Sequence, residues 1–134
     1  MAGPEDHAAA VAFDSAATGS PASFAGPYLA ERIERGELYL VEDGGLIVAT
    51  GEIRVDARAP GNTHLGLIVG VEQRGRGLGG RLMQALTARS LARGMTPRCS
   101  TSPENLPARA VIARTGYGGR HRVLRVAISD RTAR

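Results

Sequence analysis

A glycine-rich segment between residues 69 and 82 restricts the fold of this chain more than any other feature. It follows a nearly continuous apolar run at residues 64–71, which is typical of a central strand covered on both faces. It leads into residues 78–93, where apolar residues recur at helical spacing, and Gly94 follows the end of that helix. The sequence therefore predicts a strand that turns abruptly into a helix. The predicted inner stripe of the helix consists of Leu78, Leu82, Ala85 and Leu86.

The start of this predicted helix lacks the residues that usually satisfy a helix N-terminus. No Ser, Thr, Asp or Asn is present to accept hydrogen bonds from the free backbone N–H groups, and nearby arginines add positive charge to the positive end of the helix dipole. Glycines remove the side chains that would keep an anion away from those amides. These features together predict a phosphate cradle; a flexible turn solvated by water is the simpler alternative. The residues concerned are Arg74, Gly75, Arg76, Gly77, Gly79, Gly80 and Arg81.

Two common phosphate-binding motifs fit this segment poorly. All 17 basic residues are arginine, so no Walker A lysine exists and nucleotide hydrolysis of that kind is excluded. Gly75, Gly77 and Gly80 satisfy the dinucleotide-binding pattern G-x-G-x-x-G, and Glu104 follows the next predicted strand. The rest of the chain is nevertheless too short to supply the parallel strands of a dinucleotide-binding fold.

Charge is divided unequally along the chain. Residues 1–56 hold 3 arginines and 10 acidic residues, a net charge of −7, whereas residues 57–134 hold 14 arginines and 3 acidic residues, a net charge of +11. A basic half of this kind favours an anionic ligand, above all phosphate, because guanidinium binds phosphate through two parallel hydrogen bonds. A compositional preference for arginine would explain the missing lysines but not the segregation of charge.

The first half of the chain predicts a helix and a hairpin. Residues 1–21 are rich in Ala, Gly, Ser and Pro, so we expect a mobile lead with one short helix near residues 7–13. A helix is predicted over residues 23–35, followed by two strands joined through residues 43–45. The second strand alternates, and one predicted face carries Ile47, Ala49, Gly51, Ile53 and Val55.

The second half continues with strand and helix in turn. Residues 97–102 predict a poor, polar strand, and Asn105 is expected to cap a further helix with Pro107 in its first turn. Residues 117–128 predict a last strand. The predicted fold class is therefore α/β (α+β), a mixed sheet with helices packed against it.

Length and composition limit the organisation further. A chain of 134 residues and 14.0 kDa forms one domain, which we assign to residues 22–134. The apolar runs are shorter than the ~20 residues that a membrane span needs, and no signal-like start is visible, so we expect a soluble, cytoplasmic protein with no membrane partner. The single cysteine and the scattered histidines favour no disulfide and no metal site.

Two motifs resemble one known family. Arg74-x-x-Gly77-x-Gly79, preceded by Leu67-x-Val69, resembles the coenzyme A pyrophosphate loop of the GNAT superfamily of N-acetyltransferases and the central strand before it. Asn105-x-x-Ala108-x-x-Val111, closed by Gly116-Tyr117, is similar to that family's downstream Asn-x-x-Ala-x-x-Leu-Tyr segment with its closing Gly-Phe. The resemblance covers about residues 37–128.

The resemblance implies a central mixed sheet with helices on both faces and a cleft for acetyl-coenzyme A where two strands splay apart. It implies that the backbone of Val69 and Val71 holds the acetyl carbonyl and the pantetheine arm. Asn105 would reach the pantetheine or line the cleft; the simpler alternative is a helix cap, and the two roles can coexist. The pyrophosphate would be bound by the amides of Arg74, Gly75, Arg76, Gly77, Leu78 and Gly79.

The resemblance also indicates where catalytic groups would lie. The family's amine is often deprotonated by an acid or a histidine near the central strand, and the candidates are Glu52 and His64; a solvated strand carboxylate and a surface histidine are the simpler alternatives. The tyrosine that commonly protonates the departing thiolate is replaced by Ile112, which predicts a slow enzyme or a substitute donor. Tyr117 takes the family's Phe position and is expected in the core. Cys99 has no basic partner at a spacing that would make it a nucleophile.

The front of the chain departs from the family, which usually opens with an edge strand and two helices. Residues 1–36 supply only a polar lead and one good helix, so we expect the first strand to be missing and the uncovered edge to favour a homodimer. The acidic first half, including Glu31, Glu34 and Glu37, is expected to attract a cationic amine.

The predicted function is transfer of acetyl from acetyl-coenzyme A to a primary amine, on a small molecule or a peptide terminus, by direct attack in a ternary complex. Two alternatives stay open. One is a non-catalytic acyl-coenzyme A binding domain, favoured by Ile112 and the lack of a clear base. The other is a nucleic-acid or ribosome-associated module, favoured by the arginine-rich residues 120–134, although only 4% of residues are aromatic and base stacking is therefore disfavoured.

Overall fold

The computed structural model describes residues 1–119, which form one four-stranded mixed sheet with helices on both faces. The strand order is β1-β2-β3-β4; β1, β2 and β3 are antiparallel neighbours, and β4 runs parallel to β3. This confirms the predicted fold class. The elements are α1 (His7–Thr18), α2 (Ala22–Glu34), β1 (Leu38–Asp43), β2 (Leu46–Val55), β3 (Asn62–Val69), α3 (Leu78–Ala92), β4 (Thr96–Arg98) and α4 (Leu106–Arg114), with short 3₁₀ turns at Pro4–Asp6 and Val71–Gln73.

The predicted hairpin is present, and its turn falls at Gly44 and Gly45. Both residues have positive φ, 58° and 80°, which is the backbone geometry that a two-residue type I′ turn requires. A β-bulge between Val41 and Glu42 then shifts the register of β1 against β2.

The bulge corrects one detail of the predicted alternation. Ile47 was expected to share a face with Ala49, but it packs with the apolar cluster under α1 and α2. Ala49 instead lies in the cluster under α3. The inserted residue reverses the direction in which the strand's side chains point before and after it.

Helix α3 packs on one face of the sheet. Its Leu86 and Leu82 side chains rest directly on β2 at Gly51, where an added Cβ would lie 2.9 Å from Leu86 Cδ1. Ala85, expected on the inner stripe, is exposed, and Met83 is buried instead. The α3-side cluster contains Tyr39, Ala49, Ile53, Leu65, Leu82, Met83 and Leu86.

The opposite face is covered by α1 and α2. Residues 1–21 were expected to be a mobile lead with one short helix near residues 7–13, but α1 runs over 12 residues and its Ala10 is fully buried. His7 Nε2 lies 2.8 Å from Gly26 O of α2, and the Ala2 N–H donates to Leu38 O at the outer edge of β1. The first residues of the chain therefore occupy part of the edge where a strand was expected to be missing.

The C-terminal part of the described chain is only partly regular. The predicted strand at residues 97–102 is limited to Thr96–Arg98. Residues 117–119 have no regular secondary structure, and the rest of the strand predicted over residues 117–128, like the arginine-rich segment at residues 120–134, lies outside the described residues. Within residues 1–119, no helix has both the length and the apolarity needed to cross a bilayer.

A buried pair of hydroxyl groups joins β3 to α3, and it gives a direct test of this packing. Thr63 Oγ1 and Ser90 Oγ are hydrogen-bonded, and both residues are fully buried. We expect Ser90→Ala to lower the free energy of unfolding by about 1–3 kcal/mol, because the Thr63 hydroxyl loses its partner. The double variant Thr63→Val/Ser90→Ala should recover most of that loss in urea unfolding. A double variant that is less stable than Ser90→Ala would contradict this assignment.

Candidate functional site

Strand β4 pairs only with the first three residues of β3. The register joins Asn62 to Thr96, Thr63 to Pro97 and His64 to Arg98, and β4 ends there. Strand β3 continues to Val69. In the described part of the chain, residues 65–69 therefore have a partner strand on the β2 side and none on the β4 side. This unpaired edge of β3 lies where the resemblance implied a splay between two parallel strands.

The antiparallel ladder determines which backbone groups of β3 face this opening. The Gly70 N–H donates to Val48 O and the Asp56 N–H donates to Asn62 O, so even-numbered residues of β3 exchange hydrogen bonds with β2. The backbone groups of Leu65, Leu67 and Val69 consequently point into the opening. Val71, predicted beside Val69, instead lies past the strand in a 3₁₀ turn with its side chain exposed.

The glycine-rich loop ends at the start of α3 beside this opening. Gly77 is the N-cap with φ 79°, and no side chain caps the helix. The first helical hydrogen bond runs from the Arg81 N–H to Gly77 O, at 3.2 Å. The N–H groups of Leu78, Gly79 and Gly80 come before that bond and have no backbone acceptor within residues 1–119. The N-terminus of α3 is thus an uncapped set of donors.

The space around these donors is open. An added Cβ at Gly75, Gly77 or Gly80 would meet nothing within 4 Å, so the absence of side chains there is not needed for packing. Gly79 differs, because its Cβ would point at Val69 Cγ2, 3.6 Å away, and at Leu67 Cδ1, 3.9 Å away. A methyl group fits at position 79, but a larger side chain would disturb the contact with β3.

The arginines around the loop have different roles. Arg74 Nε donates to Val69 O at 3.2 Å, and Arg74 Nη2 donates to Ala17 O at 3.1 Å. Ala17 lies in the last turn of α1, where unsatisfied carbonyls attract cations. Arg74 therefore fastens α1 to the end of β3. Arg76 and Arg81 are exposed beside the loop.

The downstream segment is built as a capped helix. Asn105 Oδ1 accepts a hydrogen bond from the Ala108 N–H at 3.2 Å, so the predicted cap is confirmed. Ile112 packs against the α3-side cluster and brings no proton donor.

The two remaining candidates near this segment are Tyr117 and Cys99. Tyr117 packs against the same cluster, as predicted, and its hydroxyl lies 2.7 Å from Thr87 Oγ1. Burial raises the pKa of the Cys99 thiol, which disfavours a thiolate nucleophile at that position.

The two candidate bases lie on the sheet face under α1 and α2. Glu52 pairs with Gly66 on β3, and a Cβ added at Gly66 would lie 3.8 Å from Glu52 Oε2. Because Gly66 has no side chain, none lies between the Glu52 carboxylate and the β3 backbone at that position. His64 stands opposite Arg54, is 43% exposed, and its Nε2 lies 3.3 Å from Asp56 Oδ2. The Glu52 side chain is only 15% exposed.

The structure adds one group to this face that the sequence did not indicate. The Tyr28 hydroxyl, from α2, donates to Glu52 Oε2 at 2.8 Å, and Arg54 Nε lies 3.2 Å from the same oxygen. Burial, followed by the Glu52 hydrogen bond, raises the pKa of Tyr28 to about 12. The two residues are 24 positions apart in sequence, so no local pattern connects them.

The acidic residues in α2 and just after it do not form the free negative surface that was expected. Glu37 is buried, accepts a hydrogen bond from the Val55 N–H and pairs with Arg32. Glu31 pairs with Arg32 and Arg35. Of the three acids named for attracting a cationic amine, Glu37 is therefore part of the core, and Glu31 is an exposed acid paired with neighbouring arginines.

Comparison with known proteins identifies the class of this fold. The architecture matches acetyltransferases of known structure. Residues 9–117 match the family model described as the acetyltransferase (GNAT) family. The chain therefore belongs to the GNAT family, as the two motifs had indicated. No curated protein sequence matches it.

Three solved structures illustrate the similarity. A GNAT-family acetyltransferase from Colwellia psychrerythraea is 34% identical with a TM-score of 0.84; the match covers 87% of this chain but only 44% of that one, so this chain spans less than half of its relative. The aminoglycoside 6'-N-acetyltransferase AAC(6')-IG from Acinetobacter haemolyticus is 12% identical, with a TM-score of 0.74 and coverage of 96% and 95%. AAC(6')-Iy, in complex with the bisubstrate analogue CoA-S-monomethyl-acetylneamine, is 20% identical, with a TM-score of 0.74 and the same coverage. The last two show the fold alone.

The raised pKa of Tyr28 predicts a specific loss of stability at high pH. The folded protein holds the phenol proton up to about pH 12, whereas the unfolded chain releases it near 10.0. The stabilisation is therefore complete below pH 10 and is lost as the pH rises towards 12. Urea unfolding across this range should show a shallower pH dependence for Tyr28→Phe than for the wild type. Equal slopes for the two proteins would contradict the Tyr28–Glu52 hydrogen bond.

Proposed function

We propose that this chain is an N-acetyltransferase that transfers acetyl from acetyl-coenzyme A to a primary amine on a small molecule or at a peptide terminus. The observation that carries the proposal is the junction of two sets of backbone groups that lack main-chain partners within residues 1–119, although Val69 O accepts a hydrogen bond from Arg74. The open edge of β3 ends where the uncapped N-terminus of α3 begins, and glycines leave the space around those amides free. Coenzyme A combines an amide-containing arm with a pyrophosphate, and this junction offers hydrogen bonds to both.

The chemistry of the donors fits each part of acetyl-coenzyme A. The pyrophosphate would accept hydrogen bonds from the amides of Leu78, Gly79 and Gly80 and from the loop between Arg74 and Gly77, where the helix dipole favours negative charge. The pantetheine arm would pair along the open edge at Leu67 and Val69, in the manner of an added strand. Leu67 takes the place that the sequence had suggested for Val71, because its backbone faces the opening.

Glu52 is the base that the geometry favours over His64. It is largely buried, its Oε2 accepts a hydrogen bond from Tyr28 and forms an ion pair with Arg54, and it lies across from Gly66, so we take Oε1 as the oxygen that accepts a proton from the attacking amine. His64 is more exposed and is engaged with Asp56 at the rim of the sheet. In the proposed reaction, the amine nitrogen forms a bond to the acetyl carbon, the carbon–sulfur bond breaks, and Glu52 takes the amine proton.

Neither Ile112 nor Tyr117 takes the role of the missing tyrosine. Ile112 has no proton to give, and the Tyr117 hydroxyl is engaged by Thr87. A thiol of pKa ~8.5 is an adequate leaving group as its thiolate, which solvent can then protonate. Positioned acid catalysis is usually worth about 10²–10⁴-fold, so we propose a slow enzyme.

The relatives support an amine acceptor without identifying it. Two similar structures are aminoglycoside acetyltransferases, or enzymes of the AAC(6') type, and one of them holds the bisubstrate analogue CoA-S-monomethyl-acetylneamine. A third is described as a ribosomal-protein-alanine N-acetyltransferase from Brucella melitensis. These descriptions support testing both small amines and peptide termini.

Coenzyme A binding should depend on Gly77. Saturating coenzyme A at 100 times its Kd would stabilise the wild type by about 2.7 kcal/mol, which thermal unfolding detects as a rise in Tm. In Gly77→Val the side chain would occupy the space beside the uncapped amides, so this rise should disappear. Gly94→Val is the matched control, because Gly94 also has positive φ and open space but lies past the other end of α3. A rise in Tm that survives in Gly77→Val, or that vanishes equally in both variants, would contradict the proposed pyrophosphate site.

Removal of the proposed base should slow acetyl transfer selectively. We expect Glu52→Gln to lower kcat/KM about 10²–10⁴-fold, measured as thiol release from acetyl-coenzyme A with a panel of primary amines. His64→Asn, which changes the other candidate, should stay within a few fold of the wild type, as should Glu42→Gln on the exposed hairpin. A larger loss in His64→Asn than in Glu52→Gln would reverse the assignment. Coenzyme A binding without thiol release in the wild type would favour the non-catalytic alternative.

A further inference from the structure

The carboxylate of Glu52 is asymmetrically occupied. Both of its neighbours, the Tyr28 hydroxyl at 2.8 Å and Arg54 Nε at 3.2 Å, meet the same oxygen, Oε2. Tyr28 comes from α2 and Arg54 from the strand that carries Glu52 itself. The Tyr28 hydrogen bond therefore fixes Oε2, and Arg54 adds an ion pair to the same oxygen. Within residues 1–119, no hydrogen bond or ion pair involves Oε1, so it is available to a further partner.

The ring of Tyr28 contacts two other side chains of its own helix. Phe24 stacks on one face with a centroid distance of 6.0 Å and an interplanar angle of 9°, and the guanidinium carbon of Arg32 lies 5.1 Å from the ring centroid on α2 as well. The three residues recur every four positions, so they form a row along one side of the helix. We call Phe24, Tyr28 and Arg32 the α2 row.

The α2 row is anchored to the same strand that carries Glu52. Arg32 is buried and pairs with Glu37 at 3.2 Å, and Glu37 Oε2 accepts a hydrogen bond from the Val55 N–H at 2.9 Å. Val55 lies three positions after Glu52 on β2. The Tyr28 phenol and the Glu52 carboxylate are thus both connected to β2, which limits their movement relative to each other.

We propose that Tyr28 is a positioning residue for Glu52, and that its hydroxyl fixes Oε2 so that Oε1 is held where the amine delivers its proton. This proposal rests on the proposed function, in which Glu52 is the base. Small errors in the placement of a reacting group cost large factors in rate, so a hydrogen bond that fixes a carboxylate affects the chemical step rather than binding. The phenol remains protonated at all pH values used for such assays, and it is therefore a permanent donor.

A double-mutant cycle on kcat tests the proposal. Tyr28→Phe should lower kcat for the amine reaction about 10- to 100-fold, the range expected from loss of a hydrogen bond to a charged group. The KM for acetyl-coenzyme A and the coenzyme A-induced rise in Tm should not change. In the Glu52→Gln background, Tyr28→Phe should cause no further loss, because the group it positions is already absent.

Two further variants control for indirect effects. Tyr39→Phe removes a hydroxyl that accepts a hydrogen bond from Arg93 on the α3 side of the sheet, and it should leave kcat within about twofold of the wild type. Phe24→Leu removes the stacking partner but keeps the Tyr28 hydroxyl, and it should lower kcat by a smaller factor with KM unchanged. Phe24→Leu also serves if Tyr28→Phe fails to fold.

The outcomes separate this proposal from the one on which it depends. If the wild type acetylates amines and Tyr28→Phe lowers kcat by the same factor with Glu52 or Gln at position 52, acetyl transfer stands and the positioning role is overturned. A rise in KM for acetyl-coenzyme A with unchanged kcat would overturn it in the same way. If the wild type releases no thiol with any amine, the proposed function fails first and the positioning role fails with it.

Discussion

The separation of β3 from β4 after His64 is the constraint on which the rest of this structure depends. Strand β4 ends at Arg98, so the parallel ladder is short. Strand β3 nevertheless continues to Val69, held by its antiparallel pairing with β2. Apart from Val69 O, which accepts a hydrogen bond from Arg74, the backbone groups on its other side would be costly to bury without a partner. They lie next to the uncapped N–H groups at the start of α3. A ligand that forms hydrogen bonds with both sets of backbone groups would satisfy them together.

The rest of the fold holds this opening in a fixed shape. At its closed end, the buried Thr63 and Ser90 hydroxyls join β3 to α3, and Leu86 packs directly on Gly51 of the neighbouring strand. At its open end, Arg74 fastens α1 to Val69. On the opposite face of the sheet, Phe24 and Arg32 of the α2 row contact Tyr28, whose hydroxyl donates a hydrogen bond to Glu52. The proposed coenzyme A edge lies on β3 and the candidate base Glu52 on the adjacent strand β2, so the pairing of these strands fixes their relative positions.

Features governed by neighbouring residues were predictable from the sequence, and features governed by distant contacts were not. The turn at Gly44 and Gly45, the boundaries of α3 and the Asn105 cap all follow from local backbone chemistry, and the structure contains them. The bulge that redirects Ile47 depends on pairing between strands, and its sequence carries no marker. The burial of Glu37 and the Tyr28–Glu52 hydrogen bond likewise arise only when α2 packs on the sheet. The proposed coenzyme A site was thus predictable from a sequence motif, whereas the residues around Glu52 could be identified only from the structure.

Amide chemical shifts of the ¹⁵N-labelled protein, recorded during titration with coenzyme A, test the central claim most directly. The account predicts that the largest changes fall on the N–H groups of Leu78, Gly79 and Gly80 and on those of Leu67 and Val69, because these donors would gain acceptors from the ligand. Large changes confined to other parts of the chain, or none at saturating coenzyme A, would contradict the claim that the strand edge and the helix start form one site.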